Sequence, residues 1–292
     1  MYQKTINSNI VVSGVNVYTG TSCTATFHPA QEDSGLLFAA RGKFIPARLD
    51  YASVSWKGIS LRKDSSRIFL VEHLLSAVYA LGIDNLVIEL SGRTCPTVPN
   101  CAEEYFTALA PLILEQSKEK TTVQFSRNTP ATLHAQRGPD VLCVQKADCF
   151  SIDYAAGYPH RAIGEQRFFT EINEKNYEQD IMAARSPAFL FNRLGLGLIR
   201  LLDRLKLTGI TDENYLLITS KKNSEYANLA DFGVRYVGQE FVRHKVLDVL
   251  GTLALIGPFV KTSFSFHKTG HAFDLWALRQ LVTKGSFQFK RS

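Results

Sequence analysis

Three short segments carry side chains that could do chemistry together. In QEFVRHKVLDVLGTLALIG, His244 and Asp248 are four residues apart. On a helix they share a face one turn apart, and an imidazole and a carboxylate so placed can reach one metal ion. In LVEHLLSAVYALG, Glu72 and His73 sit among Leu70, Val71, Leu74, Leu75 and Val78, where a carboxylate and an imidazole are costly to bury unless paired or metal-bound. Neighbouring helical residues point about 100° apart, so the two would have separate jobs, one as a metal ligand and the other reaching a water on the metal. In HKTGHAF, His271 follows Gly270 at an expected helix start, where it could be delivered as a general acid. Each segment alone has an ordinary explanation: a helix-surface His–Asp pair, the polar stripe of an amphipathic helix, a histidine capping a turn. For an isolated H-x-x-x-D the ordinary explanation is the commoner one.

These residues need helices to hold them, and the pattern supplies them. Apolar spacing predicts a helix over 70–82 with Gly82 where a C-terminal cap belongs. A long helix is predicted over 238–256, and a last one from about Thr269 to Lys284. The first 60 residues read as short strands, with turns at Gly20 and Pro29. IDNLVIEL returns to strand, and Ala102 to Gln116 reads as a second helix. The polar stretch SKEKT, 117–121, is taken as a linker. After it the order repeats: strands TVQFS, ATLHAQ, VLCVQKA, CFSIDYA and QRFFTEI, a helix around Pro187 to Leu205, then strands YLLITS and VKTSFSFHK. Strand-rich first and helical later, twice over, predicts an α+β protein of two similar domains, 1–118 carrying Glu72 and His73, and 119–292 carrying His244, Asp248 and His271.

The 292 residues are 45% hydrophobic and 21% charged, enough for a substantial core. No apolar run reaches the roughly 18 residues a membrane span needs, and MYQKTINSNIVVSG lacks the charged, apolar and small-residue succession of a signal peptide. Five cysteines without a C-x-x-C pair fit reduced cytoplasmic thiols better than disulfides or a cysteine zinc knuckle. The net charge of +6 favours anionic partners such as nucleotides, sugar diphosphates or acidic lipid surfaces. The basic runs are short and lack interleaved aromatics, so no nucleic-acid partner is expected.

Taken in order, EHLLSA, EFVRHKVLDVLG and GH some twenty residues on resemble the UDP-3-O-acyl-N-acetylglucosamine deacetylases of lipid A, and hence lipopolysaccharide, biosynthesis. VVSGVNVYTG looks like that family's opening strand and turn, LGIDNLVIEL like the segment after its metal helix, YPHRAIGEQRF like its HPAIG stretch and AARSPAF like its ARTFGF stretch. The likeness runs collinearly from Ser13 to Leu281. It implies two α+β domains with helices packed between two outer sheets and a site at their interface. It implies zinc, with iron(II) as a substitute, on His73, His244 and Asp248. Three protein ligands with an open position are the pattern of a catalytic zinc site. It further implies Glu72 as general base toward the attacking water, Lys245 beside the developing oxyanion, Ser186 in place of a threonine near that oxyanion, and His271 as general acid to the leaving amine. The substrate class is an acylated UDP-sugar, its acyl chain expected along CFSIDYA and HRAIGEQRFF. The resemblance makes the chain a cytoplasmic, monomeric zinc-dependent N-deacetylase with peripheral inner-membrane contact.

Four departures bear on this. Thr252 stands where the family has an aspartate that orients the catalytic histidine, so His271 is expected to titrate lower and sit more loosely. Tyr18 replaces the histidine of the opening turn. The family's PIxDGS stretch reads Pro96 to Cys101, and TFG has become Ser186, Pro187, Ala188. Two alternatives therefore stand beside the family's own reaction: a paralogue deacetylating another N-acetylated nucleotide-sugar or small molecule, and a metal-binding protein without catalysis.

Overall fold

A computed structural model describes residues 1–55, 58–97, 99–126, 129–158, 163–190, 193–211, 214–219, 235–236 and 238–291. The first half runs β1 (Tyr2–Ile6), β2 (Ile10–Val15), β3 (Ser22–Pro29), β4 (Leu36–Ala40), β5 (Lys43–Pro46), β6 (Ala52–Ser55), β7 (Gly58–Lys63), β8 (Ser66–Phe69), α1 (Glu72–Ala80), β9 (Leu86–Leu90) and α2 (Glu103–Leu109). The second runs β10 (Ile113–Glu119), β11 (Thr121–Phe125), β12 (Thr132–Arg137), β13 (Asp140–Lys146), β14 (Ser151–Gly157), β15 (Glu165–Glu171), α3 (Glu174–Asp180) and β16 (Pro187–Leu190). It continues α4 (Arg193–Arg204), β17 (Leu216–Thr219), α5 (Glu240–Leu253), β18 (Thr262–His267), α6 (His271–Thr283) and β19 (Phe287–Arg291).

Each half builds one five-stranded sheet, and the two sheets share a topology. Their orders are β2-β3-β9-β4-β5 and β12-β13-β18-β14-β15. In both, the late strand (β9 or β18) enters the middle, antiparallel to one neighbour and parallel to the other. Alternation sets the faces: Cys23, Ala25 and Phe27 of β3, and Thr262, Phe264 and Phe266 of β18, point inward while their neighbours do not. The apolar faces meet α1, α5 and α6 in one continuous core drawn from both halves. The result is the predicted α+β fold, two similar sheets with helices packed between them.

The key contact for function is α1 against α5. Gly251 makes it: a Cβ there would lie 2.0 Å from the carbonyl oxygen of Glu72, so only glycine lets the backbones come this close. Leu70 takes a left-handed φ of 60° as the chain turns from β8 into α1. Its N–H is held by Ile59 O at 2.9 Å, the kind of strained non-glycine residue that clusters at functional sites.

Three sequence expectations fail. The helix expected over 102–116 stops at Leu109 with a 3-10 turn at Ala110–Leu112, and 113–119 is strand β10. Pro111 lacks the N–H that a continued helix needs, and β1 offers an antiparallel partner from Tyr2↔Glu119 to Ile6↔Ile113. The supposed linker 117–121 is therefore the end of β10 and the start of β11. Likewise the helix expected from Pro187 begins only at Arg193, because Pro187–Leu190 pairs in parallel with β17.

Candidate metal centre

Helices α1 and α5 bring together His73, His244 and Asp248, all buried, with one potential ligand atom from each lying within 4.8 Å of the others. Asp248 Oδ1 lies 3.5 Å from His73 Nε2 and 3.4 Å from His244 Nε2. The imidazole rings stand edge to face, centroids 5.0 Å apart. Those separations are long for hydrogen bonds, and Asp248 Oδ1 is buried with no hydrogen-bond partner among the described residues. Buried carboxylate oxygens are normally satisfied. Two ligand atoms on a tetrahedral ion at ~2.0–2.1 Å sit roughly 3.3 Å from each other, so the orphaned oxygen and its two nitrogens fit a shared divalent cation. Two imidazoles and a carboxylate are the donor chemistry of zinc or iron(II).

The surroundings fix two of the three side chains. His244 Nδ1 lies 2.9 Å from the Ala184 carbonyl oxygen, which can only accept, so Nδ1 carries the hydrogen and the Nε2 lone pair faces inward. Ala184 is held in turn by its neighbour. The buried Arg185 donates through Nε to Glu240 Oε1 at 2.8 Å, and its backbone N–H donates to the same oxygen at 3.1 Å. This ties the segment to the first turn of α5. Asp248 Oδ2 accepts from Lys245 Nζ at 2.9 Å. Burial disfavours its negative charge, but Lys245 and His244 outweigh it and hold the carboxyl well below the usual range. Burial likewise works against the Lys245 ammonium, and the carboxylate of Asp248 keeps its pKa well above normal. Burial lowers His244 to about 4 despite Asp248, leaving a neutral, ligand-ready ring at neutral pH.

A cavity of about 510 Å³ opens over this cluster. His73, His244, Lys245, Asp248, Ser186 and His271 all line it. Ser186 Oγ is 2.8 Å from His244 Nε2, and His271 Nε2 is 3.8 Å from Asp248 Oδ2. Burial lowers His271 to about 4, and its buried Nδ1 has no hydrogen-bond partner among the described residues. Thr252 spends its hydroxyl on the Asp248 carbonyl oxygen at 3.0 Å.

Glu72 is placed differently from the other expected residues. It is buried and does not line the cavity. Its Oε2 accepts the Ile59 N–H at 3.0 Å, packed so tightly on β7 that a Cβ on Gly58 would overlap its carboxyl. Burial pushes it up to about 7, with His73 opposing and Asp248 reinforcing.

The apolar wall also differs from expectation. No residue of CFSIDYA lines the cavity, and residues 160–162 of HRAIGEQRFF lie outside the described residues. The wall comes instead from Leu70, Tyr158, Pro187, Ala188, Phe189, Ile210 and Tyr215. Asn100 closes one side, its carbonyl accepting the Ser186 N–H at 3.0 Å. Sequence reasoning missed Asn100, Tyr158 and Tyr215 because they are single residues on separate elements. Arg185 gave a usable signal, an arginine beside the expected Ser186 ahead of a glutamate that opens α5. Tyr18 packs edge to face on Phe69, centroids 5.9 Å apart, in a separate hollow with Arg67 and Arg93.

Among known proteins, the chain matches the family model described as UDP-3-O-acyl N-acetylglycosamine deacetylase over residues 3–283. It is similar to the UDP-3-O-acyl-N-acetylglucosamine deacetylase of Thermodesulfovibrio yellowstonii, 30% identical over 98% of this chain and 94% of that protein. The proteins of that name from Nitratiruptor sp. and Coxiella burnetii are each 30% identical, covering 99% and 98% of this chain and 93% and 92% of theirs. With a match of this length, joined to helices α1 and α5 that set two histidines and an aspartate around one point, the chain belongs to the UDP-3-O-acyl N-acetylglycosamine deacetylase family.

Proposed function

We propose that the protein removes the acetyl group of UDP-3-O-acyl-N-acetylglucosamine by hydrolysis, with a divalent ion, zinc first and iron(II) as substitute, on His73, His244 and Asp248. The observation that carries this reading is Asp248 Oδ1, buried between two imidazole nitrogens at the cavity floor with no hydrogen-bond partner among the described residues. A cation bound there supplies Lewis acidity toward an amide carbonyl and makes a water more acidic.

The protein's own groups then divide the work. Lys245, with its charge secured by Asp248, faces the cavity where negative charge develops on the carbonyl oxygen. Ser186 adds a hydroxyl donor on the same side. Glu72, lifted to about 7 by burial, is matched to taking a proton near neutrality, and its carboxyl must share or leave the Ile59 N–H to do so. As the new C–O bond forms and the C–N bond breaks, the amine nitrogen needs a proton. His271 on the cavity wall gives it. Ligand-free, His271 is neutral at pH 7. An anionic diphosphate beside it favours the charged, donating form. The apolar wall of Leu70, Phe189, Ile210 and Tyr215 suits an acyl chain.

The reading carries a cytoplasmic monomer, two domains meeting near residues 118 and 119, and peripheral contact with the inner membrane. Five free cysteines fit a reducing compartment. No described helix is long and apolar enough to cross a membrane. The test is acetate release from UDP-3-O-acyl-N-acetylglucosamine by protein stripped with a chelator and reloaded with zinc. Activity lost on stripping and regained on reloading is expected. Acetate release indifferent to the chelator, or confined to other N-acetylated nucleotide-sugars, would count against it.

A further inference from the structure

Helix α4 carries an apolar face, and among the described residues none of its side chains lines the cavity. Leu198, Leu201 and Leu205 are 56%, 52% and 58% exposed, and Leu207 just beyond the helix is 58% exposed. Leu205 still donates its N–H to Leu201 O at 3.0 Å, so the turn continues past the last helical residue. Spacings of three and four put Leu198, Leu201 and Leu205 on one stripe. Between 193 and 211 the charged residues are Arg193, Arg200, Arg204 and Lys206 against Asp203 alone, four cations to one acid. Arg204 and Lys206 are exposed beside the stripe. Monomeric proteins rarely leave such a contiguous patch to water.

The helix also sits next to the cavity. It follows directly on β16, whose Pro187, Ala188 and Phe189 line the cavity, and Ile210 a few residues beyond lines it again. Phe189 is itself 49% exposed. The leucine stripe and the apolar cavity wall thus belong to one excursion of the chain.

We infer that this face of α4 docks the protein on an anionic lipid surface, the leucines entering the headgroup boundary and Arg204 and Lys206 meeting lipid phosphates. A short amphipathic helix with leucines on one side and arginine and lysine beside them is built to lie in a bilayer interface, and it is too short to span one. The composition argues against a protein partner. The stripe has no tryptophan, tyrosine or methionine, the types that enrich protein interfaces, and leucine is under-represented among their hot spots. The overall charge of +6 adds long-range attraction to an acidic surface. The inference locates the membrane contact of the reading above on particular residues, and its test needs no substrate, so either can fail alone.

The experiment is co-sedimentation of the full chain with phosphatidylcholine vesicles that contain or lack one-third phosphatidylglycerol. The expected result is binding to the acidic vesicles, weakened by salt, and little binding to the neutral ones. Arg204→Gln with Lys206→Gln should weaken it about 25-fold, roughly fivefold for each cation near an acidic surface. Leu201→Ser with Leu205→Ser should abolish it. Both pairs change exposed side chains, so thermal unfolding and acetate release from dispersed substrate should match the parent. No binding to acidic vesicles, or binding unchanged in both double variants, would overturn the inference. So would a parent dimer in sedimentation velocity that the serine pair dissociates, since a second copy would then cover the stripe.

Discussion

Binding a cation at His244 must break a hydrogen bond, and that cost can be measured. His244 Nδ1 is committed to Ala184 O, so Ser186 Oγ, 2.8 Å from Nε2, donates to the lone pair a metal would use. A neutral hydrogen bond of this kind contributes about 1 kcal/mol net, close to a fivefold change in an equilibrium constant. Ser186→Ala removes the competitor from the metal-free protein. Its zinc Kd should fall about fivefold, while its deacetylase turnover falls about 10²-fold if the hydroxyl also steadies the oxyanion. Ser186→Thr, which keeps the hydroxyl, should stay near the parent in both. Competition against a chromophoric chelator at neutral pH reads the Kd directly. A Kd for Ser186→Ala equal to or weaker than the parent's would refute the assigned tautomer and the competition argued from it.

Other perturbations probe the frame. Gly251→Ala places a Cβ 2.0 Å from the Glu72 carbonyl oxygen, forcing α1 from α5. Thermal unfolding should show a loss of about 1–3 kcal/mol, together with much weaker zinc binding, and a variant with parental metal affinity would deny that this contact sets the ligands. Asp274 is fully buried, and burial lifts it to about 7 against the pull of Lys245 and Thr269. An acid whose folded pKa exceeds its unfolded value of about 3.9 binds protons more tightly when folded, so stability falls as pH rises from about 4 to 7. Asp274→Asn should therefore be more stable than the parent by roughly 2–4 kcal/mol above about pH 7 and no more stable near pH 4, as followed by denaturant titration at each pH. Thr252→Asp should offer His271 Nδ1 a carboxylate, moving the basic limb of the pH–rate profile upward. An unmoved profile would place Thr252 out of reach of that ring.

Much of the site was legible because helices have short repeats. The four-residue step from His244 to Asp248 needs only a helix, and the apolar run around His73 marks that histidine as buried. Gly82, with its φ of 67°, closes α1 where its sequence position suggests. The convergence of α1 and α5 was legible only through the family likeness, because Gly251 looks like any helical glycine until its neighbour is known. The cavity wall has no signature in the sequence for a related reason. Leu70, Tyr158, Phe189 and Tyr215 come from four separate stretches, and no local pattern links them. The failure at 113–119 is a contest between propensity and pairing, won by the antiparallel partner β1. The seat of Glu72 on β7 depends on Gly58 and Ile59, thirteen or more residues away, and has no signature in EHLLSA itself.

The central claim is that three side chains from two helices hold a single ion. Elemental analysis of the purified chain, beside His244→Ala and Asp248→Asn, tests it most directly. One equivalent of zinc or iron per chain in the parent, lost from both variants while their circular dichroism stays native, is the predicted result. A parent without metal after incubation with zinc, or variants that keep a full equivalent, would contradict it.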